Sequence, residues 1–168
     1  MKLLGAIIAG GQSRRFGSDK AQALIDGRAM LDIVADRLRT QCDGLVVIGR
    51  DWPGMPSAPD VPAPGLGPLG GISGALAYAQ ANGFDEVLIC PCDMPDVPGD
   101  LAYLLSPAPA YIEEHWSWSR WPATLAETLK SWLENGESLR LRDWQEKQDA
   151  RPVRIGHAVR NINEPKDI

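Results

Sequence analysis

An apolar run, Leu3-Leu4-Gly5-Ala6-Ile7-Ile8, leads straight into Ala9-Gly10-Gly11, and three cations, Arg14, Arg15 and Lys20, come within nine residues of the second glycine. A short apolar run closed by glycine reads as a buried strand. A Gly-Gly turn at its end exposes backbone N–H groups and lets a ligand approach closely. Bare amides beside clustered cations suit a polyphosphate. The spacing excludes the two commonest nucleotide loops. Five residues separate Gly11 from Gly17, and Ser18 rather than Lys comes next, so this is no P-loop. No glycine stands two residues after Gly10 or Gly11, so it is no Gly-x-Gly-x-x-Gly fingerprint either.

Strand and helix patterns alternate along the rest of the chain. They predict a single three-layer α/β/α domain over residues 1–168, Rossmann-like, with a mostly parallel sheet. Leu45-Val46-Val47-Ile48 is a second buried strand, and Val87-Leu88-Ile89-Cys90 another, ended by Pro91. Met30, Leu31, Ile33, Val34 and Leu38 form one helical face. Residues 49–68 hold many prolines and glycines and read as a loop. A helix is expected from Ile72, another over 123–133 ended near Asn135-Gly136, and a further one over 138–145. Residues 153–155 and 159–162 are candidate late strands.

The formal net charge of −5 disfavours nucleic acid as a partner and makes the cations after Gly11 stand out as a local phosphate site. No apolar run reaches membrane-spanning length, and the first residues lack a signal-peptide pattern. Cys90 and Cys92 are one residue apart rather than two, and the third cysteine, Cys42, leaves an odd count. This predicts reduced thiols in a cytoplasmic protein rather than a disulfide framework or a metal knuckle.

Asp93 falls just past a strand's C-terminal end, where open α/β sheets place ligand groups. A carboxylate there suits Mg²⁺, which binds through one or two carboxylates plus substrate phosphates. The plainer reading is a turn aspartate before Met94-Pro95. Lys20 offers a mobile point charge to a transferring phosphoryl group, or else is a solvated lysine. Asp19 orients Lys20 or caps the segment after it. Trp116, Trp118 and Trp121 lie within six residues. Aromatic packing or a dimer contact is the favoured reading, against a stacking surface for a flat ring. His115 and His157 are isolated and receive no role.

Residues 8–20 resemble the signature Leu-Ala-Gly-Gly-x-Ser-x-Arg-Met-Gly-x-Asp-Lys of the molybdenum cofactor guanylyltransferases (MobA), within the larger nucleotidyltransferase group, with Ile8 for Leu and Phe16 for Met. Pro64-Gly65-Leu66-Gly67-Pro68-Leu69-Gly70-Gly71 resembles the family's Gly-Pro-Leu-Ala-Gly segment, and Cys90-Pro91-Cys92-Asp93-Met94-Pro95 its Cys-Asp-x-Pro metal motif. Asn161-Ile162-Asn163-Glu164-Pro165 resembles its Asn-x-Asn-Thr-Pro. The four segments keep the family's order from residue 8 to 165.

The resemblance implies transfer of GMP from GTP to the molybdopterin molybdenum cofactor, with release of pyrophosphate. It implies nucleotide contacts from Ile8, Ala9, Gly10, Gly11, Lys20, Asp60 and Asp93, and catalytic roles for Arg15, Lys20 and Asp93. Arg14 is either a further phosphate contact or merely an exposed cation. Asp60 stands seven residues before Gly67, where the resembling enzymes contact guanosine. A carboxylate accepts guanine N1–H and N2–H₂ together, or a ribose hydroxyl; otherwise Asp60 is a loop aspartate. Mg²⁺ is the implied cofactor, held by Asp93 and Asn163, although Asn163 equally suits a helix cap before Glu164-Pro165. The implied partners are GTP and the molybdopterin cofactor, with no nucleic acid and no membrane, and with room for transient contact with cofactor-synthesis or molybdoenzyme proteins.

Three departures stand out. Ile48 occupies a place where the family often has Asn, Trp121-Pro122 replaces a His-Pro pair, and the segment from Asp100 to Trp121 is short. One alternative is a cytidylyltransferase or another nucleotidyltransferase of the same fold. Cytidylyl relatives typically carry Leu-Ala-Ala-Gly, so Ala9-Gly10-Gly11 favours guanine. The other is a nucleotide-binding protein without turnover, against which Lys20 and Asp93 argue.

Overall fold

The computed structural model describes residues 1–10, 20–156 and 159, with Lys20 described by its backbone only. In chain order come β1 (Leu3–Ile8), a 3-10 turn at Lys20–Gln22, β2 (Leu24–Ile25), β3 (Arg28–Ala29), α1 (Met30–Arg39), β4 (Gly44–Ile48) and β5 (Ser57–Ala58). Next are α2 (Pro68–Ala81), β6 (Glu86–Pro91), α3 (Leu101–Leu104), β7 (Ala110–Ile112), β8 (His115–Pro122), a 3-10 turn at Ala123–Leu125, α4 (Ala126–Glu134), α5 (Leu141–Lys147) and β9 (Arg151–Val153). Seven of the strands form one sheet in the order β5-β4-β1-β6-β8-β7-β9. The first four are parallel, β8 runs antiparallel to β6 and β7, and β9 is parallel to β7.

Both faces of this sheet are covered, which explains why its central strands read as unbroken apolar runs. Leu3 and Ile7 of β1 join Leu31, Val34 and Leu38 of α1 and Leu101 of α3 in one core. Leu4 and Ala6 face the other way, with Leu69, Ile72 and Leu76 of α2 and Leu129 and Leu133 of α4. The strand period of two thus feeds two cores at once. From β1 the chain crosses through α1 to β4; from β5 it crosses back through α2 to β6 on the far side of β1. That reversal puts a crevice at the C-terminal ends of β1 and its neighbours.

Several local expectations shift. The helix expected from Ile72 begins at Pro68, whose missing N–H costs nothing in the first turn. Its interior glycines exist for packing: a Cβ at Gly71 would stand 2.8 Å from Ile8 Cγ2, and one at Gly74 only 2.3 Å from the Pro59 carbonyl oxygen. Helix propensity therefore yields to close contact with β1 and the preceding loop. The small hairpin of β2 and β3 is additional to the expected strands, although Asp26 (φ 52°) and Gly27 (φ 82°) make the Asp-Gly turn that favours one. Pro91 is the last residue of β6 rather than the first beyond it. The helix expected over 123–133 is a 3-10 turn and then α4, closed by Asn135 and by Gly136 at φ +69°. The one expected over 138–145 is α5, shifted to 141–147. The late strand is Arg151–Val153; of the second, only Val159 is described, packed against the first core.

Trp118 and Trp121 are fully buried, one in each core, whereas Trp116 is 43% exposed. Trp121 packs on Trp144 at 6.0 Å between ring centroids, and its Nε1 donates to Ser119 Oγ at 2.8 Å. Among the described residues, no helix is long and apolar enough to cross a membrane.

Candidate active site

The four parallel strands end in one row. Ala58 of β5 pairs with Ile48 of β4, Ile48 with Ile8 of β1, and Ile8 with Pro91 of β6. Asp60 lies two residues beyond Ala58, Gly49 one beyond Ile48, Gly10 two beyond Ile8, and Asp93 two beyond Pro91. Four separate stretches of sequence therefore converge on one edge of the sheet. Backbone bonds extend the order past the strands: Cys92 N donates to Ile8 O at 3.1 Å, Ala9 N to Ile48 O at 2.9 Å, and Gly49 N to Ala58 O at 2.9 Å.

The two inner turns touch. A Cβ on Gly49 would lie 2.5 Å from Gly10 Cα, and one on Gly10 would lie 3.1 Å from Gly49 Cα. Gly49 also holds φ +95°, a conformation that side chains resist. Gly10 is an expected member of the site. Gly49 is an additional one, although a glycine closing a second apolar run carries the same signal.

Asp60 sits over this contact. Its Oδ1 lies 3.4 Å from the Cβ position at Gly10 and 3.2 Å from that at Gly49, and its Oδ2 lies 3.4 Å from that at Gly70. Val61 N donates to Gly70 O at 3.1 Å and ties the Asp60 loop to the start of α2. Asp60 Oδ1 is buried with no hydrogen-bond partner among the described residues. Burial pushes the carboxyl pKa up. An acceptor held out of water without a donor is costly, and a ligand N–H removes that cost. Asp60 lines an open pocket of about 420 Å³ together with Gly10, Gly49, Arg50, Ser57 and Pro64.

Asp93 is partly buried in the turn after β6. Among the described residues no group of three or more His, Cys, Asp or Glu side chains could hold a metal ion. Mg²⁺ asks for less: one or two carboxylates, with substrate phosphates and water completing its shell. An oxygen donor at this edge fits that chemistry. Ile8 ends β1 and Ala9 is buried behind it. Lys20 opens the 3-10 turn that packs on α1. Gly11, Arg14, Arg15, Asp19 and Asn163 lie outside the described residues.

Both departures at single positions prove to be core residues. Ile48 is fully buried against α2, with its Cγ2 lying 3.2 Å from the Cβ position at Gly74, and Trp121 is buried under α4 and α5. Arg50 is another pocket residue that the sequence does not single out. Its guanidinium carbon stands 5.2 Å from the Trp52 ring centroid, and Trp52 Nε1 donates to Asp32 Oδ1 at 2.8 Å.

The model of the MobA-like NTP transferase domain matches residues 5–151. The chain belongs to the MobA-like NTP transferase family. A molybdenum cofactor guanylyltransferase of Cereibacter sphaeroides is 34% identical to this NTP transferase, covering 100% of this chain and 94% of its own. One from Sinorhizobium fredii is 37% identical, over 81% of this chain and 71% of its own. Among solved structures, molybdopterin-guanine dinucleotide biosynthesis protein A of Archaeoglobus fulgidus superposes with a TM-score of 0.74 at 19% identity, covering 98% of this chain and 94% of that one. A 4-diphosphocytidyl-2C-methyl-D-erythritol synthase superposes at 0.67 with 16% identity, covering 99% and 96%. At such identities the superpositions speak for the fold. They agree with the layered α/β architecture of this NTP transferase.

Proposed function

We propose that this NTP transferase moves GMP from GTP onto the terminal phosphate of a molybdopterin cofactor and releases pyrophosphate. The observation that carries the reading is Asp60: a buried carboxylate oxygen without a donor among the described residues, set between Gly10, Gly49 and Gly70 in a pocket at the strand ends. Guanine brings N1–H and N2–H₂ to such a group side by side. The names of the relatives point the same way.

In this reading an oxygen of the acceptor phosphate attacks the α-phosphorus of GTP. The bond from the α-phosphorus to the bridging oxygen breaks, and pyrophosphate leaves with the electron pair. The attacking oxygen is already anionic, so no general base is needed. What remains is positioning and charge neutralisation. Ile8, Ala9, Gly10 and Gly11 are assigned to nucleotide contact. Lys20 and Arg15 meet the triphosphate, and Asp93 with Asn163 would hold Mg²⁺. Mg²⁺, when bound, neutralises phosphate charge along the triphosphate. We place the protein in the cytoplasm, in transient contact with the proteins that supply and receive the cofactor.

The test is pyrophosphate release with the molybdopterin cofactor and either GTP or CTP. Release with GTP, and far less with CTP, is the expected result. Equal release with CTP points to the cytidylyl alternative, and nucleotide binding without release points to a protein that binds without turnover.

A further inference from the structure

The half of the sheet beyond Asp93 ends at the same edge as the pocket. β7 and β9 run in the direction of β6, and β8 runs against them. The Glu113-Glu114 turn between β7 and β8 and the residues after β9 therefore share the edge on which Asp93 lies. We propose that Glu114 is a positioning residue for the metal: its carboxylate fixes the chain at Ile155 and Gly156 as it leaves β9, and so fixes the point from which Asn163 is brought to Asp93. This rests on the Mg²⁺ assignment to Asp93 and Asn163 above and adds a residue to it.

The two turns are tied together. Glu113 N donates to Val153 O at 2.8 Å and continues the pairing of β7 with β9. Arg154 Nε donates to Glu113 Oε2 at 2.6 Å, but with the Arg154 side chain 80% exposed this pair contributes little. Glu114 makes the stronger tie. Gly156 N donates to its Oε2 at 2.7 Å, and Ile155 N to the same oxygen at 3.1 Å. Bonds from successive amides to a carboxylate are charge-assisted and stronger than neutral ones. The Gly156 amide, foremost, holds the Glu114 carboxyl below its ordinary pKa. Gly156 has φ +74°, so the chain turns at the residue that Glu114 grips.

The chain length fits delivery to Asp93. From β9 the sheet order runs through β7 and β8 to β6. Three strand spacings make about 14 Å. Asn163 is seven residues beyond Gly156, and seven residues reach at most about 23–25 Å. The span is covered with slack, so the starting point decides how strongly the Asn163 carbonyl is concentrated at the metal. Val159, between the two, packs with Ile155 against the core that contains Cys90, Met94 and Trp118. Met94 follows Asp93 and accepts from Ser117 Oγ at 3.7 Å, so this core reaches the Asp93 turn. β9 itself has three residues and pairs on one side, and guides the departing chain weakly.

Mn²⁺, an oxygen-seeking stand-in for Mg²⁺, tests this when titrated into the full chain saturated with GTP, without acceptor, and read by electron paramagnetic resonance. Glu114→Ala is expected to weaken Mn²⁺ binding about tenfold, the lower end of what residues behind a metal ligand contribute. Its Tm and its GTP affinity in EDTA should stay close to wild type, while hydrogen exchange at the Ile155 and Gly156 amides quickens. Glu114→Gln keeps an acceptor oxygen without the charge and should lose less. Asn163→Ala should also weaken Mn²⁺ binding. Combined with Glu114→Ala it should be no weaker than alone, because the clasp acts through that side chain. Losses that add in the double variant overturn the proposal. So do unchanged Mn²⁺ affinity or unchanged exchange in Glu114→Ala, and so does an equal weakening of GTP in EDTA, which marks a general loosening. An Asn163→Ala chain that binds Mn²⁺ like wild type removes Asn163 from the metal site, and this assignment with it. Wild type that holds Mn²⁺ no better than free GTP does overturns the Mg²⁺ assignment itself.

Discussion

Gly10 and Gly49 close on one another so tightly that a single methyl group on Gly49 would stand 2.5 Å from Gly10 Cα and 2.7 Å from Gly10 N. The contact joins the ends of β1 and β4 directly beneath Asp60. Gly49→Ala carries two penalties, the backbone collision and the positive φ of 95°. Gly54, at φ +78° with nothing within 4 Å of its Cβ position, carries only the second. We expect Gly54→Ala to cost about 1 kcal/mol and Gly49→Ala about 2–4 kcal/mol, with weaker GTP binding only in the latter. Thermal melts and nucleotide titration of the two variants check this; equal losses in both would show that the collision is relieved cheaply.

Asp60 makes the free protein pay for the site, and pH exposes it. Burial raises its pKa above the usual carboxylate value of about 3.9. The folded protein therefore takes up this proton before the unfolded chain does. The charged carboxylate is a destabilising feature at neutral pH, and the effect is relieved as pH falls from the raised value toward the ordinary one. Asp60→Asn should raise the Tm of the nucleotide-free protein at pH 7, and its advantage over wild type should shrink on acidification through that window. The same variant should bind GTP more weakly by roughly 1.5–3 kcal/mol, the scale of a hydrogen bond to a charged group. A lower Tm at pH 7 without nucleotide would contradict the strain assigned to Asp60.

The three clustered tryptophans divide by burial. Trp118 and Trp121 have no exposed surface, while Trp116 keeps 43% of its surface in water, with Arg142 stacked on it at 5.3 Å. Replacement by Ala should cost about 3–5 kcal/mol at each buried site and much less at Trp116. Urea titrations of the three variants measure this, and a severe loss at Trp116 would place that ring in an interface the isolated chain does not reveal.

Much of this architecture is legible in the residues. Runs such as Leu45–Ile48 and Val87–Cys90 are apolar on both faces because both faces are covered, and a lone sequence shows that plainly. The start of α2 is not legible, because Gly70, Gly71 and Gly74 argue against helix locally and are explained only by tertiary neighbours such as Ile8 and Pro59. The site divides in the same manner. Gly10 and Asp93 come after strands whose ends can be read directly. Arg50 does too, but its place in the pocket beside Asp60 and over the Trp52 ring is a tertiary relationship that no local pattern encodes.

Asp93 is the last group to test, because its place in the fold separates chemistry from stability. It stands in a turn after β6, outside both hydrophobic cores, and Cys92 N beside it donates to Ile8 O. Asp93→Ala should leave the folding stability within about 1 kcal/mol of wild type, as for a substitution outside the core. If this carboxylate holds Mg²⁺ against the triphosphate, its loss should cost several kcal/mol of transition-state stabilisation, roughly a thousandfold or more in turnover. Asp93→Asn keeps the shape and removes the charge, so it should fall nearly as far. Pyrophosphate release measured across a Mg²⁺ titration distinguishes the outcomes. Turnover close to wild type at low Mg²⁺ in either variant would remove Asp93 from the metal site and leave it as a turn residue.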